Sequence, residues 1–479
     1  MSSADLFALL PLLVISATTV IVMLTIAFYR RHAFTALLTL AGLVFAFISL
    51  SSVAPILPRR ITPLFIMDGY SLFYMGLLFA SSLVVGIFSY GYLEGREINH
   101  DEFYPLLLLA TLGSTVLVAS SHFASFFLGL EILSVSLYTM ISYLRVSERG
   151  NEAGVKYLIL AAASAAFILF GMALVYTQLG TMEFVQIAKK ITSADKADAF
   201  LLAGQVMIII GIGFKLALVP FHMWTPDVYE GAPAPVSAFI ATSSKGAMFA
   251  LLLRYFTNVD IHEYNSLFLI FTVIAIASMF IGNLLALLQD NVKRILAYSS
   301  IAHLGYLLVA FMASGPMAVT AVGYYLSSYF VATLGAFGIV TVLSDKSRDA
   351  DMLEDYRGMA WRRPWVAGVF TGMLLSLAGI PLTAGFIGKF YVAAAGVGSA
   401  LWLLVLMLVI NSAIGLFYYL RVVAILFASP EKEKRIADFP SLSFPAGLVM
   451  LILTILLIWL GVYPSPLIEI LQKTVIGLI

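Results

Sequence analysis

Ionisable side chains inside long apolar stretches are the residues most able to do chemistry in this 479-residue chain. They comprise one carboxylate, four lysines and two histidines: Glu131, Lys156, Lys215, His222, Lys245, His303 and Lys389. A charge at the centre of a membrane helix costs roughly 2.5 to 3.5 kcal/mol even on a lenient insertion scale. Lys, Glu and His side chains exchange protons. The sequence contains no nucleophile paired with a base, no phosphate-binding loop, no pair of haem-ligating histidines and no zinc-ligand spacing. The set therefore predicts proton carriers in series through a membrane.

Some of these residues also have ordinary structural interpretations. Lys156 is near the end of its apolar stretch, so its ammonium can also extend to the lipid headgroups. His222 and His303 can equally be core histidines with satisfied hydrogen bonds. Tyrosines in the same stretches, such as Tyr325, are interpreted as packing residues. The remaining four candidates are harder to explain structurally, because each needs a partner or water at membrane depth.

Glu131 and Lys215 together have the properties of a switch. A carboxylate beside a buried amine stabilises the ammonium form, whereas burial by itself disfavours any charged form. Movement of Glu131 toward or away from Lys215 would therefore make the lysine hold or release a proton. Nothing in the chain is able to harvest chemical energy, so the switch must be driven by a partner or by another ion's gradient.

Proline and glycine interrupt the apolar stretches that carry three of the lysines. Pro220 follows Lys215 by five residues and cannot donate to the carbonyl of Leu216, which loosens the helix beside the charge. The other two lysines come after breakers: Pro233 and Pro235 precede Lys245, and Gly379, Pro381, Gly385 and Gly388 precede Lys389. Charges and broken helices at membrane depth mark an ion or substrate path.

Composition establishes which solvent surrounds the protein. Apolar residues make up 61% of the chain and charged residues 11%, whereas soluble domains carry about 25% charge. The formal charge of +1 offers no basic surface for nucleic acid. With no cysteine, the chain cannot form disulfides or cysteine-ligated iron–sulfur clusters, so any redox cofactor must lie in a partner. The composition indicates a multi-span membrane protein in a lipid bilayer.

Apolar runs of about 20 residues, the length that a bilayer requires, predict an all-α polytopic membrane protein with about fourteen transmembrane helices. The first apolar run is too long for a signal peptide and is interpreted as a retained span. The predicted spans are residues 6–29, 34–56, 70–93, 104–120, 122–144, 154–178, 200–223, 233–256, 265–288, 293–313, 316–343, 365–393, 398–427 and 441–471. The proline and glycine pattern makes spans seven, eight and twelve the broken ones.

The spacing of intramembrane charges predicts an internal repeat. Glu131 and His303 are 172 residues apart, Lys215 and Lys389 are 174 apart, and Lys245 and Arg421 are 176 apart. Five spans separate the members of each pair, and an odd number of spans reverses orientation, so spans 4–8 and 9–13 are predicted to form two inverted five-helix repeats. The corresponding division is 1–103 for spans 1–3, 104–256 and 257–427 for the repeats, and 428–479 for the C-terminal loop and span 14.

Loop charges predict the orientation. Fifteen Lys and Arg residues fall in loops on one side of the predicted bilayer and six on the other. Because cytoplasmic loops carry the excess of basic residues, both termini are expected on the non-cytoplasmic side.

Three motifs add a specific resemblance. PFHMWTPDVYEGAPAPVSAF from Pro220 to Phe239, NVKRILAYSSIAHLGY from Asn291 to Tyr306 and SLAGIPLTAGFIGKFY from Ser376 to Tyr391 occur in this order. They resemble the antiporter-like subunits of respiratory complex I, most of all the N subunits of the bacterial proton-pumping NADH:quinone oxidoreductases. The resemblance covers essentially the whole chain and implies a fourteen-helix fold with an inverted repeat and broken seventh and twelfth helices.

The resemblance also implies roles for residues and partners. Glu131 and Lys215 match the family's ion pair, Lys245 its central lysine and Lys389 its exit-side residue, while Lys156 and His303 fall on motif positions. It implies further antiporter-like and other membrane subunits as partners, a bacterial inner-membrane location, and proton pumping driven by electron transfer elsewhere. FMN, iron–sulfur clusters, NADH and quinone would belong to the assembled complex, and no cofactor is expected in this chain.

Two other functions stay open. A subunit of a multi-subunit sodium/proton antiporter shares the fold and motifs but is a secondary transporter. A structural membrane scaffold would hold its neighbours and pump nothing. Neighbouring genes distinguish the first from a redox enzyme, and removal of the lysines distinguishes the second.

Overall fold

The computed structural model describes residues 2–94, 96, 100–144, 147–193, 199–259, 264–429 and 442–475. Helices account for nearly all of its regular structure. Those of the first half are α1 (Ser3–Ala8), α2 (Leu10–Phe28), α3 (His32–Val53), α4 (Gly69–Leu93), α5 (Phe103–Ala119), α6 (Phe123–Ile141), α7 (Glu148–Leu179), α8 (Phe184–Ser193), α9 (Ala199–Leu216), α10 (Trp224–Gly231), α11 (Ala234–Phe239) and α12 (Lys245–Asn258).

The second half continues the helical pattern. It contains α13 (Asn265–Leu287), α14 (Val292–Met312), α15 (Pro316–Leu343), α16 (Met359–Arg362), α17 (Pro364–Ala378), α18 (Ala384–Gly398), α19 (Trp402–Phe427), α20 (Phe444–Val462) and α21 (Ser465–Val475). One sheet occurs in the described ranges, an antiparallel hairpin of β1 (Arg59–Ile61) and β2 (Phe65–Met67), in which Arg60 pairs with Ile66.

The predicted all-α polytopic fold is confirmed. Each of the fourteen predicted spans overlaps at least one helix. In the described part of the chain, twelve helical stretches are long and apolar enough to cross a membrane, and α5, α17 and α18 are shorter apolar helices. The count of fourteen spans, the inverted repeats and the division at residues 103, 256 and 427 stay predictions.

Three adjoining stretches form the centre of the molecule. The stretch from α11 to α12 and helix α14 are each completely buried over their most apolar 18 residues, and α15 nearly so. A helix that is apolar all round is expected in such a position, whereas helices such as α2, α19 and α20 expose one apolar face. The central helices therefore carry side chains that neither lipid nor bulk water contacts.

The predicted breaks in spans seven and twelve are confirmed. In span seven, α9 ends at Leu216, Ala217 adopts a φ of +59°, and helix resumes at Trp224 beyond Pro220. In span twelve, α17 ends at Ala378 and α18 begins at Ala384. The residues between them include Gly379 at a φ of +86° and Leu382 at +72°.

Span eight is interrupted in a different way from the predicted proline break. Pro233 is the N-cap of α11 and Pro235 lies in its first turn, where a missing backbone N–H breaks no hydrogen bond. The span runs from Ala234 to Asn258, and its only irregularity in the described structure is the π-helical turn Ile240–Ser244. Lys245 follows this turn directly.

The described ends of the chain lie on the same face of the helix bundle. Arg59, the first residue of the hairpin, donates to Asp5 at 2.6 Å, and Thr474 packs against Gly69 at the start of α4. This arrangement agrees with an even number of crossings. The side of the membrane that both ends face stays a prediction.

Candidate proton-transfer site

Lys215 is held at the end of α9, directly before the break in span seven. Its Nζ donates to Ser134 Oγ at 2.8 Å and lies 5.3 Å from the ring centre of Tyr157. Only 4% of the residue is exposed. A serine of α6 and an aromatic ring of α7 thus surround the ammonium at the break.

Glu131 lies on the same helix as the serine that binds Lys215. It precedes Ser134 by three residues, a spacing that places both on one face of α6. In the described structure no oxygen of Glu131 lies within 4 Å of the Lys215 amine, so the ion pair expected from the resemblance is not a direct contact. Ser134 occupies the contact position, and the proposed switch stays a prediction.

Lys245 is the first residue after the π-helical turn and is 1% exposed. Its Nζ donates to Ser300 Oγ of α14 at 2.5 Å. The ring of Tyr229, on α10, lies 5.2 Å from the same nitrogen. The amine is therefore placed between a hydroxyl of the central helix and an aromatic ring of the short helix that follows the break.

His303 links three helices through its two ring nitrogens. Nδ1 is 2.6 Å from the hydroxyl of Tyr325 on α15, and Nε2 is 3.1 Å from that of Tyr419 on α19. The Tyr419 hydroxyl also makes a hydrogen bond with Ser299 Oγ. Since a hydroxyl both donates and accepts, this row can pass a proton in either direction.

Lys389 is held by the break in span twelve. Its Nζ donates to the carbonyl of Ala378 at 2.8 Å and to Ser412 Oγ at 2.9 Å. Ala378 is the last residue of α17, so its carbonyl has no partner within that helix and is available to the lysine. The break in the helix thus supplies a free backbone carbonyl to a buried amine.

A small cavity separates His303 from Lys389. Both residues line it, together with Tyr325, Tyr329 and Ser376. Its volume of about 10 Å³ is close to the minimum that holds one water molecule. The cavity allows a single water to connect the histidine row to the second lysine.

Lys156 lies away from these buried groups. Its side chain is 42% exposed and pairs with Glu152 at 2.6 Å and Asp227 at 2.9 Å. Arg294 pairs with Asp227 at 2.9 Å and with Glu230 at 2.8 Å. Lys156 thus belongs to a surface ionic cluster that joins α7, α10 and α14, and both its role in proton transfer and its contact with the headgroups stay predictions.

His222 is buried in the turn between α9 and α10. It is 5% exposed, and neither ring nitrogen has a hydrogen-bond partner among the described residues. No hydrogen bond of the described chain connects it to the other candidates, so its predicted role in proton transfer stays a prediction.

Sequence reasoning missed the hydroxyl partners of the candidates. Ser134, Ser300 and Ser412 contact the three lysines, and Tyr325 and Tyr419 contact His303. Tyr325 was expected to be a packing residue, and the structure corrects this. A serine or tyrosine at membrane depth is visible in the sequence, but the ionisable residue that it contacts lies on another helix, so the contact is not visible.

A buried ion pair was also missed. Both terminal nitrogens of Arg254 donate to the carboxylate of Asp68, each at 2.9 Å, and the side chains are 5% and 0% exposed. The pair joins α12 to the N-cap of α4. Among the described residues, no group of three or more His, Asp or Glu side chains is arranged to hold a metal ion.

Comparisons with known proteins place this geometry in context. Residues 120–415 match the family model described as NADH:quinone oxidoreductase/Mrp antiporter, TM. The chain is 32% identical to a chain of respiratory complex I from Thermus thermophilus, solved with bound aureothin, with a TM-score of 0.83 over 97% of this chain and 100% of that one.

Two more distant structures share the fold. One is a chain of the membrane-bound sulfane sulfur reductase, an archaeal respiratory membrane complex, with 21% identity, a TM-score of 0.87 and coverage of 99% and 98%. The other is a chain of the Mrp complex from Dietzia sp. DQ12-45-1b, with 18% identity, a TM-score of 0.87 and coverage of 100% and 98%. All three relatives are chains of multi-subunit membrane complexes.

Proposed function

The chain belongs to the NADH:quinone oxidoreductase/Mrp antiporter family of membrane proteins, and we propose that it is the proton-translocating N-type subunit of a bacterial NADH:quinone oxidoreductase. The identity of 32% to a complex I chain over nearly the full length of both chains supports this assignment. The Mrp likeness, at 18% identity, supports the shared fold. Electron transfer then takes place in partner subunits and drives proton movement through this one.

One observation carries the proposal. Lys215, Lys245 and Lys389 are buried in the membrane part of the chain, and in the described structure none has a carboxylate within 4 Å. A buried charge without a counter-ion is costly, whereas an amine that can lose its proton avoids that cost. Each lysine instead donates to a serine hydroxyl, which can bond to the charged or the neutral form.

The contacts suggest an order for proton movement. Lys245 holds a proton against Ser300 at the centre of the bundle. The row of Ser299, Tyr419, His303 and Tyr325, on α14, α19 and α15, begins at the residue that precedes Ser300 in the sequence. One water in the adjoining cavity can extend this row to Lys389. Glu131, one turn from Ser134, would raise or lower the tendency of Lys215 to keep its proton as the surrounding complex changes shape.

The proposal includes location and partners. The protein would lie in the bacterial cytoplasmic membrane with both termini away from the cytoplasm. Its partners would be other membrane subunits of the same complex, including further antiporter-like subunits. FMN, iron–sulfur clusters, NADH and quinone would be held by those partners, since this chain has no cysteine with which to ligate a cluster.

The test uses sealed membrane vesicles that contain the assembled complex. Proton uptake per NADH oxidised is measured for wild type, Lys245→Ala and a control, Lys473→Ala, which changes an exposed lysine of α21. We expect the first variant to lower the ratio and the control to leave it unchanged. Equal ratios in all three, with normal assembly, would favour the scaffold function and reject proton transfer by Lys245.

The antiporter function is tested in the same vesicles. The family model covers both types of complex, so proton release on addition of sodium is measured without NADH. A secondary antiporter would respond to sodium and would not depend on NADH. The proposed function requires that sodium alone releases no protons and that proton movement depends on NADH.

A further inference from the structure

The direction of the Lys245 side chain depends on the π-helical turn that precedes it. A π-helix closes its hydrogen bonds over five residues rather than four, so each such turn contains an extra residue relative to an α-helix. One residue corresponds to about 100° of rotation in an α-helix. If Ile240–Ser244 became regular α-helix while α11 stayed in place, Lys245 and the residues of α12 after it would rotate, and Lys245 would point away from Ser300.

Both ends of span eight are fixed by contacts from other elements. At its start, Ser237 Oγ donates to the carbonyl of Tyr229, the residue whose ring lies against Lys245. Toward its end, Arg254 pairs with Asp68, and the hydroxyl of Tyr70 donates to the carbonyl of Ala250 at 2.7 Å. Because neither end is free to rotate, the extra residue between them has to be accommodated in the π-helical turn.

The π-helical turn itself is bound by the same helix that holds the end of the span. Ser81 Oγ of α4 lies 2.6 Å from Ser243 Oγ, and the two residues are 2% and 0% exposed. Ser243 is two residues before Lys245. Asp68, at the N-cap of α4, and Tyr70 and Ser81 within the helix therefore contact span eight at three levels, two of them after the π-helical turn and one within it.

We propose that α4 aligns Lys245 with Ser300, and that Asp68, Tyr70 and Ser81 are positioning residues for proton transfer by this lysine. The inference rests on the proposed function, because it assigns these residues to the step in which Lys245 takes part. The Ser81–Ser243 hydrogen bond stabilises the π-helical register, and the Arg254 and Ala250 contacts prevent the following helix from compensating. Loss of the Ser81 hydroxyl shifts the register toward one in which Lys245 no longer reaches Ser300.

The experiment uses the assembled complex in sealed vesicles and measures protons moved per NADH oxidised at equal complex content. The fall in protons moved per NADH in Lys245→Ala defines the share of proton transfer that depends on this lysine. A net hydrogen bond of about 1 kcal/mol corresponds to roughly a fivefold change in an equilibrium. We therefore expect Ser81→Ala to shift the register equilibrium about fivefold away from the aligned form and to lose a measurable part of that share.

Matched variants separate positioning from general damage to α4. Ser89 is a buried serine of the same helix whose hydroxyl bonds only to the carbonyl of Val85 in the described structure. Ser89→Ala should keep the full ratio, and Ser81→Thr, which keeps the hydroxyl, should recover it. Ser81→Ala combined with Lys245→Ala should be no lower than Lys245→Ala alone, because both changes act on one step.

The outcomes distinguish this inference from the function on which it rests. If Lys245→Ala loses nothing, both the proposed function and the inference are overturned. If Lys245→Ala lowers the ratio while Ser81→Ala does not, or Ser89→Ala falls as far as Ser81→Ala, only the inference is overturned. Failure of Ser81→Thr to recover, or a further loss in the double variant, would equally show that Ser81 does not act through Lys245.

Discussion

Replacing Asp68 by asparagine removes the negative charge from a buried ion pair while keeping the size of the side chain. Arg254 then stays buried, with its partner charge lost and only the bond to Ser71 Oγ at 2.9 Å and weaker amide contacts remaining. Breaking a buried pair by removing one partner costs about 3 to 5 kcal/mol. An unfolding entropy of about 2.1 cal/mol/K per residue converts this range into a fall of about 4 °C in the unfolding midpoint of a chain this long.

The choice of asparagine isolates the charge from the helix cap. Asp68 Oδ1 also accepts from the backbone N–H of Ser71 at 2.7 Å as the N-cap of α4, and asparagine caps equally well. Asp68→Ala should therefore be less stable than Asp68→Asn by about 1 kcal/mol. Asp290→Asn is the control, because the Arg421–Asp290 pair is 41% and 68% exposed and such pairs contribute about 0 to 1 kcal/mol.

Thermal unfolding of the purified chain in detergent gives the readout. The double change Asp68→Asn with Arg254→Gln replaces the pair with neutral groups and should recover much of the loss, since no charge is left buried alone. An Asp68→Asn midpoint equal to that of Asp290→Asn would refute the energetic argument. So would a double variant as unstable as the sum of its two single changes.

Three further predictions concern other residues. Ser134→Ala should slow proton pumping by more than Glu131→Gln, because Ser134 contacts Lys215 directly and hydrogen bonds to charged groups contribute about 1.5 to 3 kcal/mol. If Glu131→Gln slowed pumping more in vesicle assays, a direct ion pair during the cycle would be favoured. Lys215→Arg should pump poorly although assembled, because arginine does not release its proton, and full pumping would reject the carrier role. Asp349, in the loop after α15, is expected to make stability pH-dependent: burial opposes its ionisation, but the pair with Lys293 at 2.7 Å outweighs this and holds the pKa below the usual value of 3.8. The stabilising contribution of Asp349 is thus present above that usual value and is lost as the pH falls through the lower folded pKa. Asp349→Asn should therefore flatten the acid side of a plot of unfolding midpoint against pH. An unchanged plot would contradict the argument.

The membrane class, the helical fold and two of the breaks could be predicted from sequence because each is decided by a short stretch of chain. An apolar run about 20 residues long needs a bilayer wherever it lies in the fold. Pro220 and the Gly379–Pro381 segment act on their own backbone. Span eight was harder, since the effect of Pro233 and Pro235 depends on where the helix begins. The prolines lie at its start, and the interruption is a π-helical turn that no proline causes.

The candidate site divides along the same line. Lys215, Lys245, His303 and Lys389 stand out in the sequence because an ionisable side chain in an apolar run conflicts with its local surroundings. Their partners do not stand out: Ser134, Ser300 and Ser412 lie 81, 55 and 23 residues from the lysines that they contact. Serine is common in membrane helices, and only the packing of distant helices decides which hydroxyl meets which amine.

Lys156 and Glu131 show what local sequence leaves undetermined. By position alone, Lys156 could be a proton carrier or extend to the headgroups, and only the packing of α10 and α14 brings Asp227 and Arg294 to it at the surface. Glu131 was expected to touch Lys215, yet Ser134, one turn along α6, makes the contact. The sequence by itself determined which groups are costly to bury, because that cost depends on the residue and its solvent. Only the tertiary structure decided which residues bind those buried groups, because contacts depend on how helices far apart in the chain pack together.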